Sequence, residues 1–493
     1  MTDQPIVNTA TGTVRGHAED GLLAFRDIPY AAPPVGPARW RAARPHPGWT
    51  GVRDATGYGP SAPQPWMPGG SPVIGTHGDP PFAEDCLTLN LWTPGLDDAR
   101  RPVLVWIHGG GFLTGSGNMS AYAADTFARD GDLVGISINY RLGPLGFLAG
   151  VGDENVWLTD QVAALQWIAS NAGAFGGDPA RITLAGQSGG AFSIAALAQH
   201  PGARDLFHRG ILQSPPLGLE LPSAADAATR TQALARHLGH SSVDALHGEP
   251  WENLIRGTIG VLGEYAEFGE WSLAYCPVID DATMPRHPIA ALTDTSLEVM
   301  IGWTRDEASF AFALDPRYAG TTGEQVIAWA AKRHPGRAED LYHAYAAAHP
   351  GRDPAGVLSQ IVTDELFRCG GLHVAAERAR TRPVRVYQFE VTSPLAAGAL
   401  GAPHCLDLPF TFASMDRWAS APFVQGIRDD LIGRVTGALH DAWIAFARDG
   451  DPAHPGIPSW HPYDTEGRAV LVIADDDIRV VPGLPTPAAC AGE

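Results

Sequence analysis

A chain of 493 residues that is 45% hydrophobic and 18% charged has the composition of a folded globular protein with a sizeable core, which excludes global disorder. Its 34 basic and 54 acidic residues give a formal charge of −20, which repels nucleic acid and anionic membrane surfaces and excludes polyanion binding. The opening run Met1-Thr-Asp-Gln-Pro-Ile-Val7 has no basic start or apolar export stretch, and no later run reaches the ~18 apolar residues of a membrane span, so a cytoplasmic protein is expected.

Residues 6–30 alternate short β-prone runs with Gly and Pro, which predicts small antiparallel hairpins, and 31–37 is a Pro-rich turn. From 54 to 85, Gly, Pro and Ser surround Trp66 and Phe82, the pattern of a long surface loop with aromatic anchors. Five runs of strand length and β-branched content then follow: 103–107, 133–138, 182–185, 297–301 and 384–389. Helical stretches separate them, as in a mostly parallel sheet covered on both faces. Leu158, Val162, Leu165 and Ile168 recur at helical spacing before Gly176-Gly177, which predicts a crossover helix. Segments 222–262 and 320–380 read as helices and loops inserted between strands. The expected class is α/β, with residues 1–493 as one domain carrying cap-type insertions at about 215–295 and 311–380. Cys86, Cys276, Cys369, Cys405 and Cys490 are odd in number and scattered without a CxxC, so free thiols are expected.

The chemistry concentrates at the ends of these strands. Gly186, Ser188 and Gly190 form G-x-S-x-G between an apolar strand and an Ala-rich helical stretch. A sharp turn there projects the serine Oγ beyond the sheet, and its neighbours must lack bulk. The bland alternative is a Gly-rich turn whose serine only caps the helix. His108-Gly-Gly-Gly-Phe112 follows the 103–107 strand, and its glycines permit N–H groups to converge on an oxyanion; Gly110, Gly111 and Gly189 are the candidate donors. A serine also needs a base and an acid that orients the base. Asp306 and Glu307 lie just past the 297–301 strand, and the residues alone do not choose between them, since either carboxylate equally suits a surface ion pair. His404, early in the Gly/Pro-marked segment 401–410, is the candidate base against the alternative of a structural histidine. The order Ser, acid, His is that of the α/β-hydrolase fold. Leu113, Phe192, Leu217, Leu219, Trp303 and Phe310 are candidates for the substrate pocket, each against the stronger alternative of core filler.

Phe25-Arg-Asp-Ile-Pro-Tyr-Ala31, Glu84-Asp-Cys-Leu-Thr-Leu-Asn-Leu-Trp92, the glycine run, Asn139-Tyr-Arg-Leu-Gly-Pro-Leu-Gly-Phe147, Phe175-Gly-Gly-Asp-Pro179 and the elbow occur in one order across the chain. Together they resemble the type-B carboxylesterases, the cholinesterase-like group, and especially its bacterial p-nitrobenzyl-esterase-like members. The resemblance implies an α/β-hydrolase fold and a Ser188–His404–Glu307 triad that cleaves short to medium acyl or aryl esters through an acyl-enzyme. It implies no metal or organic cofactor, a small-molecule ester as the partner, and no preference of oligomeric state beyond compatibility with a monomer. It further implies that Ser214 supports the triad from behind and that Arg39–Glu84 and Arg141–Asp160 are structural ion pairs. Amide, thioester or carbamate hydrolysis by the same triad is the alternative chemistry, and a non-catalytic cholinesterase-like interaction protein is the alternative class. Three positions depart from the family pattern: Gly189 where Ala is usual, Trp157 where Gly is common, and Ala308 after the acid. In secreted relatives the cysteine of the EDCL motif pairs with one upstream, and no cysteine precedes Cys86 here.

Overall fold

The computed structural model describes residues 4–66, 71–75, 81–271 and 273–490. The strands in chain order are β1 (Ile6–Thr9), β2 (Gly12–Arg15), β3 (His17–Glu19), β4 (Leu22–Pro29), β5 (Val52–Asp54), β6 (Thr88–Thr93), β7 (Arg101–Ile107), β8 (Val134–Ile138), β9 (Gly177–Gln187), β10 (Arg209–Gln213), β11 (Glu298–Thr304), β12 (Val384–Phe389), β13 (Ala469–Ile473) and β14 (Ile478–Pro482). β1, β2 and β5 form a small sheet, and the other strands form an eleven-stranded sheet in the order β14-β13-β12-β11-β10-β9-β7-β8-β6-β4-β3. From β8 across to β13 every neighbouring pair is parallel, while β14 at one edge and β6, β4 and β3 at the other pair antiparallel.

The parallel centre follows from strands that are apolar on both faces. In β7, Val103, Val105 and Ile107 enter one core cluster while Leu104 and Trp106 enter the other. A period of two in a wholly apolar run leaves no side for water, so helices must cover both faces. Helices Val156–Asn171 and Gly189–Leu197 supply apolar residues to the first cluster, and Asp125–Gly131 and Asp429–Asp449 to the second. Each large aliphatic or aromatic side chain fully buried this way contributes about 1.5–3 kcal/mol.

All five strands expected in the sheet are present, with bounds moved by a few residues, and the predicted crossover helix is Val156–Asn171. β6, β10, β13 and β14 were not anticipated; β10, Arg-Gly-Ile-Leu-Gln, has too few apolar residues to stand out from a loop. Helices Ala224–His237, Trp251–Glu264 and Pro288–Asp294 lie between β10 and β11, and Gly323–Arg333, Ala338–Ala348, Pro354–Thr363 and Cys369–Arg378 between β11 and β12. The second group carries its own apolar cluster, including Phe312, Tyr318, Trp329, Leu341 and Ile361. Of the expected loop at 54–85, residues 67–70 and 76–80 lie outside the described residues; Trp66 is exposed and Phe82 half-buried.

The expectation of free thiols is corrected. Cys369 and Cys490 form a disulfide with Cα atoms 5.4 Å apart, while Cys86, Cys276 and Cys405 are free. The two partners are separated by 121 residues, and only folding brings the segment Ala488–Cys490 onto the helix that begins at Cys369. Arg39 holds Glu84 through two hydrogen bonds of 2.6 Å, and Arg141 holds Asp160 at 2.6 and 2.8 Å in full burial. Among the described residues no helix is long and apolar enough to cross a membrane.

Candidate active site

β9 runs straight into the helix Gly189–Leu197, and Ser188 at the junction has φ 55° and ψ −123°. A non-glycine residue in such a conformation costs on the order of 1–3 kcal/mol and persists only where its surroundings hold it. Here its N–H donates to the Gln213 carbonyl at 2.8 Å and its carbonyl accepts from Phe192 N–H at 2.9 Å. The neighbours must be glycine for reasons of space. A Cβ on Gly190 would lie 2.0 Å from the Ile107 carbonyl oxygen, and one on Gly186 would lie 2.6 Å from the Gly190 carbonyl carbon.

β7 delivers the glycine run beside this elbow. Gly110 (φ 115°) and Gly111 (φ 59°) have positive φ, a backbone that glycine adopts without a side-chain penalty. A Cβ on Gly109 would meet the Gln187 carbonyl oxygen at 2.6 Å, so the run lies directly against the nucleophile turn. Among the described residues, the N–H groups of Gly110, Gly111 and Gly189 donate to no protein acceptor. Gly189 opens a helix, where the dipole also favours negative charge. His108 anchors the run from below: its ring stacks on Tyr140 at 4.5 Å and its Nδ1–H donates to the Gly109 carbonyl at 2.9 Å. Burial pushes its pKa down to about 4, so it stays neutral.

The candidate acid and base come from the end of β11 and the segment after β12. Glu307 is fully buried; one carboxylate oxygen accepts the Thr304 N–H at 2.7 Å and the other receives His404 Nδ1–H at 2.5 Å. Asp306 turns the opposite way. Its carboxylate accepts from Arg305 at 2.9 Å, Gln360 at 2.6 Å, Ala402 N–H at 2.8 Å and the Arg352 guanidinium. It is buried, contrary to the surface ion pair weighed as its alternative, and it pins the backbone two residues before His404. Burial works to lower the His404 pKa, but the Cys405 sulfur and the Glu307 carboxylate outweigh it and hold the pKa well above 6.5. Trp271, Phe310 and Phe367 pack on the imidazole with ring centres 5.1–6.1 Å away.

Ser188, Gly110, Gly111 and His404 open into one cavity of about 500 Å³. Its walls are mainly apolar, with Trp66, Phe82, Leu113, Tyr122, Trp271 and Phe310 prominent, and no Asp, Glu, Lys or Arg among the described residues lines it. Of the pocket candidates, Leu113 and Phe310 line this space and Leu219 lines a separate cavity. Phe192, Leu217 and Trp303 are fully buried in the first core cluster and do not line the cavity. Ser214 (φ 50°) donates its N–H to the Gly302 carbonyl at 2.7 Å, and its buried hydroxyl has no hydrogen-bond partner among the described residues.

Gln187 and Asp407 were not singled out from the sequence. Gln187 Nε2 lies 2.9 Å from His404 Nε2, and its place immediately before the serine was the available signal. Asp407 sits behind the histidine, accepts from Gln213 at 2.9 Å, and has its pKa pushed up to about 6 by burial. Nothing but the fold distinguishes it from an ordinary turn aspartate.

A model of the Carboxylesterase family matches residues 3–484. The chain is 62% identical to the phenmedipham hydrolase of Pseudarthrobacter oxydans over 487 residues, covering 99% of this chain and 98% of the relative. It is 33% identical to the para-nitrobenzyl esterase of Bacillus subtilis (strain 168), with 97% and 96% covered. Among solved structures, a Geobacillus stearothermophilus carboxylesterase crystallised at pH 6.2 superposes with a TM-score of 0.85 at 34% identity, covering 96% of this chain and 97% of that one. The chain therefore belongs to the carboxylesterase family and is a carboxylic-ester hydrolase on the α/β-hydrolase fold, similar to the bacterial para-nitrobenzyl esterases.

Proposed function

We propose that Ser188, His404 and Glu307 form the catalytic triad and that the enzyme works through an acyl-enzyme intermediate. The observation that carries this reading is the shared cavity: Ser188, the glycine run and the Glu307-bound His404 all meet there. His404 Nε2 takes the Ser188 hydroxyl proton as Oγ attacks the carbonyl carbon. The N–H groups of Gly110, Gly111 and Gly189 receive the oxyanion, a contribution of about 3–4 kcal/mol for a single donor in a known case. The imidazolium then protonates the leaving alcohol. Water, deprotonated by the same nitrogen, releases the acid, and Glu307 stabilises the imidazolium throughout without taking its proton. Ser214 and Asp407 brace this arrangement from behind.

The substrates we propose are neutral aryl and short to medium acyl esters, since an apolar cavity without charged lining favours them over ionic ones. Carbamate esters are included, supported by the 62% identity to a phenmedipham hydrolase. The two helical insertions act as caps on a single catalytic domain, and the first forms part of the cavity through Leu262, Trp271 and Leu273. A cytoplasmic location is also proposed, supported by the free Cys86, Cys276 and Cys405, with the Cys369–Cys490 disulfide as the feature that weighs against it. Recovery of the enzyme outside the cytosolic fraction of its cells would overturn it.

The test is fluorophosphonate labelling of the wild type beside Ser188→Ala, followed by turnover of p-nitrophenyl esters of rising acyl length and of phenmedipham. Labelling and turnover are expected for the wild type, with kcat lower by about 10⁴-fold or more in Ser188→Ala. A wild type that neither labels nor turns over any of them refutes the reading.

A further inference from the structure

The nitrogen that must accept the Ser188 proton is already occupied in the unliganded enzyme. Glu307 is an acceptor, so the bond to His404 Nδ1 fixes the proton on that nitrogen and leaves one lone pair on Nε2. Gln187 Nε2 lies 2.9 Å from this lone pair and 3.4 Å from Cys405 Sγ, so both amide hydrogens have an acceptor. That double use fixes which end of the amide faces the base. The other end, Oε1, lies toward the glycine run, where a Cβ on Gly109 would come within 2.7 Å of it. Gln187 is 2% exposed and lines the catalytic cavity, so water does not readily replace it.

We infer that Gln187 is a positioning residue: its amide holds His404 Nε2 in the resting enzyme and yields that lone pair to Ser188 when substrate fills the cavity. An imidazole nitrogen has one lone pair, so the Gln187 N–H and the Ser188 O–H compete for it. While the amide holds it, the ring keeps its orientation and its neutral form. The other titratable groups around the ring are Glu307, Cys405 and Asp407, and the rings of Trp271, Phe310 and Phe367 that pack on it carry no charge. The inference rests on Ser188 and His404 acting as nucleophile and base.

Gln187→Met removes both donors at similar volume, and Gln187→Glu keeps the shape but replaces the donor with an acceptor. The readouts are the acid limb of kcat/KM for a neutral p-nitrophenyl ester, KM at high pH, and the melting temperature. Losing a donor to the lone pair disfavours the neutral ring, so the acid limb moves up. A rise of about one pH unit or more is expected for Gln187→Glu and a smaller rise for Gln187→Met, with KM within about threefold of wild type. Unchanged acid limbs in both folded variants, with any loss confined to KM or melting temperature, overturn the inference. If one variant does not fold, the acid limb of the other decides. Wild-type labelling with the fluorophosphonate separates this failure from failure of the triad, because it reports the reactivity of Ser188 with Gln187 unchanged.

Discussion

The two halves of the site are built by different means. The elbow and the glycine run join through short-range steric rules: Gly190 abuts the Ile107 carbonyl and Gly109 abuts Gln187, and the strands that carry them, β7 and β9, pair directly. The acid–base half joins residues 97 positions apart in sequence, and its geometry depends on which hydrogen bonds the neighbouring carboxylates make. Asp306 and Glu307 are adjacent and equally buried, yet one faces the histidine ring and the other faces two arginines, Gln360 and the backbone of Ala402. Steric rules leave a local signature in a sequence, whereas hydrogen-bond assignment between distant segments leaves almost none.

The largest effect expected on the acid–base half is that of Glu307→Gln, which keeps the shape but removes the charge proposed to stabilise the imidazolium. It should lower kcat by about 10³–10⁴-fold, with the melting temperature changed little. Asp306→Asn should reverse that balance, losing about 2 kcal/mol of stability and about tenfold or less in kcat. Steady-state kinetics beside thermal melts separate the two, and the opposite ranking would move the acid role to Asp306. On the elbow half, Gly190→Ala should lower stability by about 3 kcal/mol, because the backbone of a central strand cannot move aside. A folded, active Gly190→Ala variant would break the steric account.

The pH profile probes the acid–base half as it stands. In the proposed mechanism His404 acts as a neutral base, and its pKa is held above the usual 6.5, so kcat/KM should rise with pH through a value above 6.5. An acid limb below that value would contradict the charge balance around the ring. The smallest effect belongs to the elbow. Gly189→Ala restores the residue usual in the family, yet its Cβ would meet the Phe112 ring at 3.0 Å. A small shift of that ring suffices, so kcat should change by about tenfold or less, about 1.4 kcal/mol at most. A larger loss would show that Phe112 is rigidly held against the oxyanion donors.

The central strands, the crossover helix, the elbow and the glycine run were legible because each rests on a local rule. A wholly apolar run must be covered on both faces, and a sharp strand-to-helix turn admits no side chain beside the serine. β10 was missed because Arg209–Gln213 is half polar and becomes a strand only between β9 and β11. Phe192, Leu217 and Trp303 could not be sorted between pocket and core, because composition does not tell which face of an apolar side chain meets a cavity; all three are core.

By itself, then, the sequence determined the α/β architecture, the serine on its turn and the glycines that face it, since sterics and burial act between near neighbours. Which of Asp306 and Glu307 binds His404, the Cys369–Cys490 bond and the contact of Gln187 with His404 were decided only by the tertiary structure. Each depends on which of several chemically equivalent groups the folded chain brings within about 3 Å of a partner, a choice that spacing along the chain does not encode.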